Sequence, residues 1–123
     1  MLDRAIDSAR ALDATTTGAV LLHGDFIDKN LVLGSDGYVA LDPIPRIGDP
    51  CSDVGFYAAY HPRANGIAER ASAVALRAGL DAERAMRWAA IWAVGEATET
   101  WRDDSDELQR WVMSREASRL LAL

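Results

Sequence analysis

Three side chains with oxygen ligands flank a predicted β-hairpin. Asp25 and Asn30 precede its first strand, and Asp42 ends its second strand. Because a hairpin brings the residues before its first strand close to those after its second, we expect these three side chains to converge at one end of it. Two carboxylates and a carboxamide are hard oxygen ligands, which suit Mg²⁺ and phosphate chemistry rather than zinc.

The elements that must position these residues begin with a short helix. Apolar residues recur at helical spacing over residues 2–13, and a short apolar strand or bend is predicted at 19–22. β-like runs at 31–33 and 38–41 flank a Gly-Ser-Asp-Gly turn, which predicts the hairpin. Prolines make residues 43–50 a predicted irregular, stiff loop.

Four helices are predicted after this loop. The first is capped by Ser52 or Asp53 and runs to Tyr60, the second covers 65–79, the third is capped by Asp81, and the last is capped by Ser105 or Asp106 and continues through Leu120. Because an isolated hairpin is marginally stable, it should lie on helices. The sequence therefore predicts an α+β, mostly helical fold, in which a small β-hairpin packs on about five helices.

Composition narrows the class of protein. The chain has 123 residues, half of them hydrophobic, and fits one domain or a piece of a larger one. A net charge of −6 without any basic run argues against nucleic acid as a partner. Cys51 is the only cysteine, so no internal disulfide is possible. No stretch approaches the roughly 20 apolar residues that span a bilayer, and the N-terminus does not resemble a signal peptide. We therefore expect a cytoplasmic protein without a membrane partner.

The stretch "HGDFIDKN" followed by "ALDPIPRIGDPCSDVG" resembles the aminoglycoside phosphotransferase family of kinase-like enzymes. The family pattern is an H-G-D-x-x-x-x-N loop, a hairpin, then a D-P and a G-D-P-x-x-D element. The variant seen here is most similar to the streptomycin 6-kinase and hydroxyurea kinase branch. The similar stretch covers residues 20–57. The resemblance implies that residues 1–123 form a single partial domain, the C-terminal lobe of a protein-kinase-like fold.

The resemblance also implies a role for each polar residue of the motif. Asp25 would be the catalytic base, which orients the acceptor hydroxyl and takes its proton. Asn30 and Asp42 would hold the Mg²⁺ ions that bridge the phosphates of ATP. Three further residues would brace the loop: His23 from beneath, Asp53 by accepting hydrogen bonds from its backbone, and Asp49 from nearby.

Two positions depart from the family pattern. Ile27 stands where the family usually has a histidine, and Lys29 stands where it has a small residue. Lys29 either contacts a transferred phosphate or points into solvent. No glycine-rich phosphate loop and no strand lysine for the ATP phosphates are found, so we expect the N-terminal nucleotide-binding lobe to be absent from this chain.

Two hypotheses on function follow. The first is an ATP-dependent phosphotransferase of a small hydroxylated acceptor, such as an aminoglycoside or streptomycin-type antibiotic in resistance, with this chain alone inactive. The second is a non-catalytic truncated remnant that acts as a folded oligomer or binding module. A lobe without its neighbour should expose an apolar face and form a homodimer. The candidates for that face are Leu2, Ile6, Leu22, Val32 and Val39.

Several other residues are of types that often have functional roles. The tryptophans Trp88, Trp92, Trp101 and Trp111 are predicted to be core or interface residues rather than a base-stacking platform. Cys51 is predicted to be a packed thiol, and His61 a surface residue. The acidic residues Asp103, Asp104 and Asp106 form either a solvated helix cap or a contact for a cationic antibiotic.

Overall fold

Helices and two small antiparallel sheets make up the structure, a computed structural model that describes residues 1–61, 63–98 and 105–122. The fold is α+β and mostly helical, as predicted. The helices are α1 (Leu2–Ala14), α2 (Pro50–Tyr60), α3 (Ile67–Arg77), α4 (Ala82–Glu96), α5 (Ser105–Val112) and α6 (Arg115–Leu120). The strands are β1 (Val20–Leu22), β2 (Leu31–Gly34), β3 (Gly37–Ala40) and β4 (Arg46–Gly48), and a 3₁₀ turn covers Asp28–Asn30.

Helix α4 lies at the centre of the core. It buries Trp88, Ala89 and Ala93 among other residues, so the core prediction for Trp88 is confirmed. Its small side chains allow α2 to approach closely. A Cβ added at Gly55 of α2 would lie 2.6 Å from the backbone nitrogen of Ala89. The two helices therefore pack backbone against backbone at this glycine, which fixes the position of α2 relative to the core.

One strand was not anticipated. β4 pairs antiparallel with β1, with Val20 opposite Gly48 and Leu22 opposite Arg46, within the segment that the sequence predicted to be an irregular loop. That prediction is wrong because the prolines of the segment lie on either side of Arg46–Gly48. The three residues between them keep their N–H groups and can join a ladder.

The hairpin formed by β2 and β3 pairs Leu31 with Ala40, as its turn sequence predicts. Its predicted packing on the helices is wrong. Val32, Leu33, Tyr38 and Val39 are all exposed, and neighbouring residues of a strand point to opposite faces, so both faces of the hairpin are largely open to solvent. The ladder is closed at its base, where the Leu41 N–H donates to the Asn30 carbonyl at 2.7 Å.

Helix boundaries depend on caps. Asp49, rather than Ser52 or Asp53, is the N-cap of α2, because Pro50 takes the first helical position and the Asp49 side chain accepts from the Cys51 N–H. Asp81 caps α4 as predicted. The predicted last helix is two helices, since Ser114 caps a new one.

Some predictions lie at the edge of what the structure describes. Trp101, Asp103 and Asp104 are outside the described residues. Over the described ranges, none of the helices combines the length and the apolar character that a membrane crossing requires.

Candidate functional site

The residues after β1 form a tight loop that leads to the 3₁₀ turn. Gly24 has a φ of +84°, and a Cβ at this position would lie 1.8 Å from the Ile44 carbonyl oxygen. The Ile44 N–H in turn donates to the His23 carbonyl at 2.8 Å. The loop therefore lies directly against the segment that enters β4, and only glycine fits at this contact.

Asp53 holds the start of this loop from the first turns of α2. Its Oδ2 accepts a hydrogen bond from the His23 N–H at 2.7 Å, and its Oδ1 accepts one from the Gly24 N–H at 3.1 Å. These are the hydrogen bonds that the family resemblance implies for Asp53, although its side chain is half-buried rather than buried. Two consecutive backbone groups are thus fixed by one carboxylate on a rigid helix.

His23 connects the loop to the far strand of the hairpin. Its Nδ1 accepts a hydrogen bond from the Asp25 N–H at 3.2 Å, and its Nε2 lies 2.8 Å from the Leu41 carbonyl oxygen. Since a carbonyl only accepts, these contacts assign the neutral tautomer with the proton on Nε2. The imidazole thereby links the backbone of Asp25 to the residue that precedes Asp42.

Asn30 and Lys29 both contact the carboxylate of Asp25. The Asn30 Nδ2 donates to the Asp25 carbonyl and to its Oδ2, each at 2.8 Å, and Asn30 is only 4% exposed. The Lys29 Nζ lies 4.0 Å from the same Oδ2, on a side chain that is 69% exposed. A half-buried carboxylate therefore faces solvent between a fixed amide and a solvated ammonium group.

Asp42 follows the hairpin in a restricted conformation. It is exposed and has a φ of +53°, a value that is uncommon for residues other than glycine. The hydrogen bond between Leu41 and Asn30 places Asp42 one residue beyond the base of the hairpin, next to Asn30 in the register. No three His, Cys, Asp or Glu side chains meet as a metal site within the described residues. The oxygen ligands that this region offers to a hard cation are the Asn30 amide and the carboxylates of Asp25 and Asp42.

Asp49 does not contact the loop, which corrects its predicted bracing role. β4 separates them, since Arg46 lies opposite Leu22 near the loop while Gly48, next to Asp49, lies opposite Val20. The Asp49 carboxylate instead accepts from the Cys51 N–H at 2.9 Å, from the Trp88 Nε1 at 2.7 Å and from the Arg84 Nε. Its role is to join α2 to α4.

The environment of Asp49 makes it a stable anion. Burial by itself would raise its pKa, but the hydrogen bonds from Trp88, Cys51 and Arg84 outweigh burial and hold the pKa below its ordinary value. The same Arg84 also donates to the Leu12 carbonyl at 2.5 Å and to the Thr16 hydroxyl at 2.9 Å. This network therefore holds α1 as well.

Cys51 lies beside this network and is 2% exposed. Burial, and then the negative charge of Asp49, raise the pKa of its thiol to about 11. The prediction of a packed thiol is confirmed.

A second set of contacts joins α2 to the loop, and the motif does not indicate it. The Tyr57 ring lies 5.7 Å from the Phe26 ring. Burial first, and then the charge of Asp28, raise the pKa of Tyr57. The His61 Nε2 lies 3.7 Å from the Asp28 carboxylate. His61 is half-buried, whereas the sequence predicts a surface residue. Tyr57 follows Asp53 by four residues, so a common helix face was the signal that could have revealed it.

The loop thus presents the Asp25 carboxylate in fixed surroundings next to the Asn30 carboxamide, and Asp42 follows the residue whose N–H bonds to Asn30. Such a group can accept a proton from a hydroxyl, and the neighbouring oxygens can bind a hard cation. No protein-family model, curated protein or solved structure matches the chain.

Asp53→Ala should lower the free energy of unfolding by about 2 kcal/mol, because it leaves the His23 and Gly24 N–H groups without their acceptor. Urea denaturation gives the difference directly. Asp53→Asn is the matched variant: it retains one acceptor oxygen and should lose roughly half as much. An unchanged urea midpoint for Asp53→Ala would contradict this prediction.

Proposed function

We propose that this chain carries the phosphoryl-transfer centre of a kinase-like small-molecule phosphotransferase, which moves the γ-phosphoryl group of ATP to a hydroxyl of a small acceptor such as an aminoglycoside. The observation that carries the proposal is the contact of Asn30 Nδ2 with the Asp25 carboxylate at the base of the hairpin. The hydrogen bonds of Asp53 to the loop backbone support it as well. The resemblance implies the contacts of Asp53, and it places Asp25 and Asn30 in the same loop.

Asp25 is assigned as the catalytic base. Its carboxylate is half-buried and partly open to solvent, so an acceptor hydroxyl can reach it and donate its proton during attack on phosphorus. Asn30 fixes the direction of the carboxylate, and the backbone contacts of His23 and Asp53 fix the loop. Phosphoryl transfer depends mainly on such positioning and on charge stabilisation.

Asn30 and Asp42 are assigned as the residues that would hold Mg²⁺, and their oxygen ligands fit this ion. The ion would neutralise charge on the transferred phosphoryl group. Lys29 adds a solvated positive charge next to Asp25. Lys29 is the only lysine of the sequence, so a lysine that pairs the ATP phosphates from another lobe is not part of this chain. We therefore expect weak binding of Mg-ATP by this chain alone.

The metal site can be tested with Mn²⁺, which binds oxygen ligands much as Mg²⁺ does and broadens nearby NMR signals. We expect the amide signals of Asp25, Asn30 and Asp42 to broaden first during a titration. Asp42→Asn should weaken the effect, whereas Asp36→Asn, a matched loss of one carboxylate in the exposed hairpin turn, should not. Broadening that spreads evenly over the acidic surface, or that survives in Asp42→Asn, would refute the proposed metal site.

A second candidate is a non-catalytic remnant that acts as a homodimer, and the exposed hairpin favours it. Val32, Leu33, Tyr38 and Val39 form two apolar faces, and monomeric proteins rarely expose contiguous apolar patches beyond a few hundred Å². Leu2 and Ile6 are also exposed, but Leu22 is buried, so it is not part of the predicted dimer face. Light scattering at micromolar concentration should give twice the chain mass of 13.4 kDa.

The coding sequence upstream of Met1 distinguishes the two functions, since an in-frame nucleotide-binding lobe favours the enzyme and a stop codon favours the remnant.

A further inference from the structure

A cavity of about 220 Å³ lies between α1, the β1–β4 sheet and α4, away from Asp25 and Asn30. Its walls include Leu22 of β1 and the rings of Trp88 and Trp92. Two charged residues, Asp13 of α1 and Arg46 of β4, also line it. The volume is below the roughly 300–1,000 Å³ of sites for drug-sized ligands, so a ligand here must be small.

The Trp92 ring offers a π face to this cavity. Its Nε1 donates to the Ser52 hydroxyl at 3.2 Å, which fixes the ring, and the Phe56 ring meets it edge-on with centroids 5.2 Å apart. The Arg46 guanidinium carbon lies 6.0 Å from the centroid of the Trp92 ring. The electron-rich face of a tryptophan attracts cations, so the protein itself already places a cation over Trp92.

The charges at the cavity are not otherwise engaged. Within the described residues, the Asp13 carboxylate has neither a hydrogen bond nor an ion pair, and Arg46 has only its contact with Trp92. By contrast, the Asp49 carboxylate at the cavity wall is neutralised by Arg84. With a net charge of −6 on the whole chain, cations are attracted and anions repelled.

We propose that this cavity binds a small organic cation, an ammonium or guanidinium group on a compact apolar body. The cation displaces the Arg46 guanidinium from the face of Trp92 and pairs with the carboxylate of Asp13. Apolar groups of the ligand contact Leu22 and the Trp88 ring. The site is independent of the phosphoryl-transfer proposal, because neither Asp25 nor Asn30 lines it.

Titration with tetramethylammonium chloride tests the proposal, with sodium chloride keeping the ionic strength constant. The signal is the Trp92 indole N–H in ¹H–¹⁵N NMR spectra, assigned by its loss in Trp92→Phe. We expect a saturable shift of this resonance. tert-Butanol, an uncharged molecule of similar size, should give no saturable shift, because a π face discriminates by charge.

Three variants separate this site from general attraction of cations. Arg46→Ala removes the internal competitor and should tighten tetramethylammonium binding about two- to fivefold. Asp13→Asn should weaken it about two- to fivefold. Asp7→Asn removes the same charge from α1 outside the cavity and should leave the Kd unchanged. The proposal is overturned by a shift that does not saturate, by weaker binding in Arg46→Ala, or by equal effects of the two aspartate variants.

Discussion

Asp49→Asn is expected to lower the free energy of unfolding by about 3 kcal/mol, because it leaves the Arg84 guanidinium without its buried counter-charge. The Asp49 side chain is 3% exposed and that of Arg84 21% exposed, so little water is available to replace the lost carboxylate charge. Asparagine has a similar shape and keeps one acceptor oxygen. The loss therefore measures the charge and the hydrogen bonds of one oxygen rather than packing, and urea denaturation at pH 7 reports it.

The same residue gives stability a pH dependence of known sign. The folded-state pKa of Asp49 lies below its ordinary value of 3.8, so the unfolded chain takes up a proton at a higher pH than the folded one. Its contribution is fully present above the unfolded pKa and is lost as the pH falls through the folded pKa. Between about pH 5 and pH 3, wild type should therefore lose stability more steeply than Asp49→Asn. Asp36→Asn, which changes an exposed carboxylate, should follow wild type, and equal slopes for all three proteins would contradict the assignment.

Gly24→Ala should also cost about 3 kcal/mol of unfolding free energy. Two effects add: alanine is disfavoured at a φ of +84°, and its Cβ would lie 1.8 Å from the Ile44 carbonyl oxygen, so the backbone must move. The movement should also break the hydrogen bond of Gly24 to Asp53. Urea denaturation gives the energy, and ¹H–¹⁵N spectra should show changes from His23 to Asn30.

Gly95→Ala is the control for that substitution. Gly95 lies within α4, and a Cβ there meets no atom within 4 Å. Alanine should therefore stabilise the helix, by about 0.5–1 kcal/mol. If Gly24→Ala proved as stable as wild type, the loop would not lie against Ile44 as described, and the positions of Asp25 and Asn30 would need revision.

Local signals predicted the elements that local sequence determines. The Gly-Ser-Asp-Gly turn is sufficient to predict the hairpin, and Asp81 is sufficient to predict where α4 begins. β4 was missed because its partner β1 lies more than twenty residues earlier, and nothing in Arg46–Gly48 itself indicates that pairing. The cap of α2 was misplaced by a few residues because the signal of Pro50 at the first helical position was not used.

The contacts of the candidate site also fall into a predictable and an unpredictable group. The residues of the loop and the hydrogen bonds of Asp53 followed from motif spacing. The true contacts of Asp49 did not, since Arg84 follows it by 35 residues on a different helix. The hairpin was misjudged for another reason. A run of apolar residues indicates that a surface can be buried, but it does not identify what covers it.

The burial of Cys51 makes the thiol a chemical reporter. Alkylating reagents attack the thiolate, and with a pKa of about 11 and 2% exposure this group is both protonated and inaccessible in the folded protein. Modification at neutral pH then requires the start of α2 to separate from α4. Since Cys51 is the only cysteine, the rate of its alkylation reports that opening under native conditions and without a spectroscopic probe. When closing is faster than alkylation, the rate gives the population of the open state, and at high reagent concentration it approaches the opening rate.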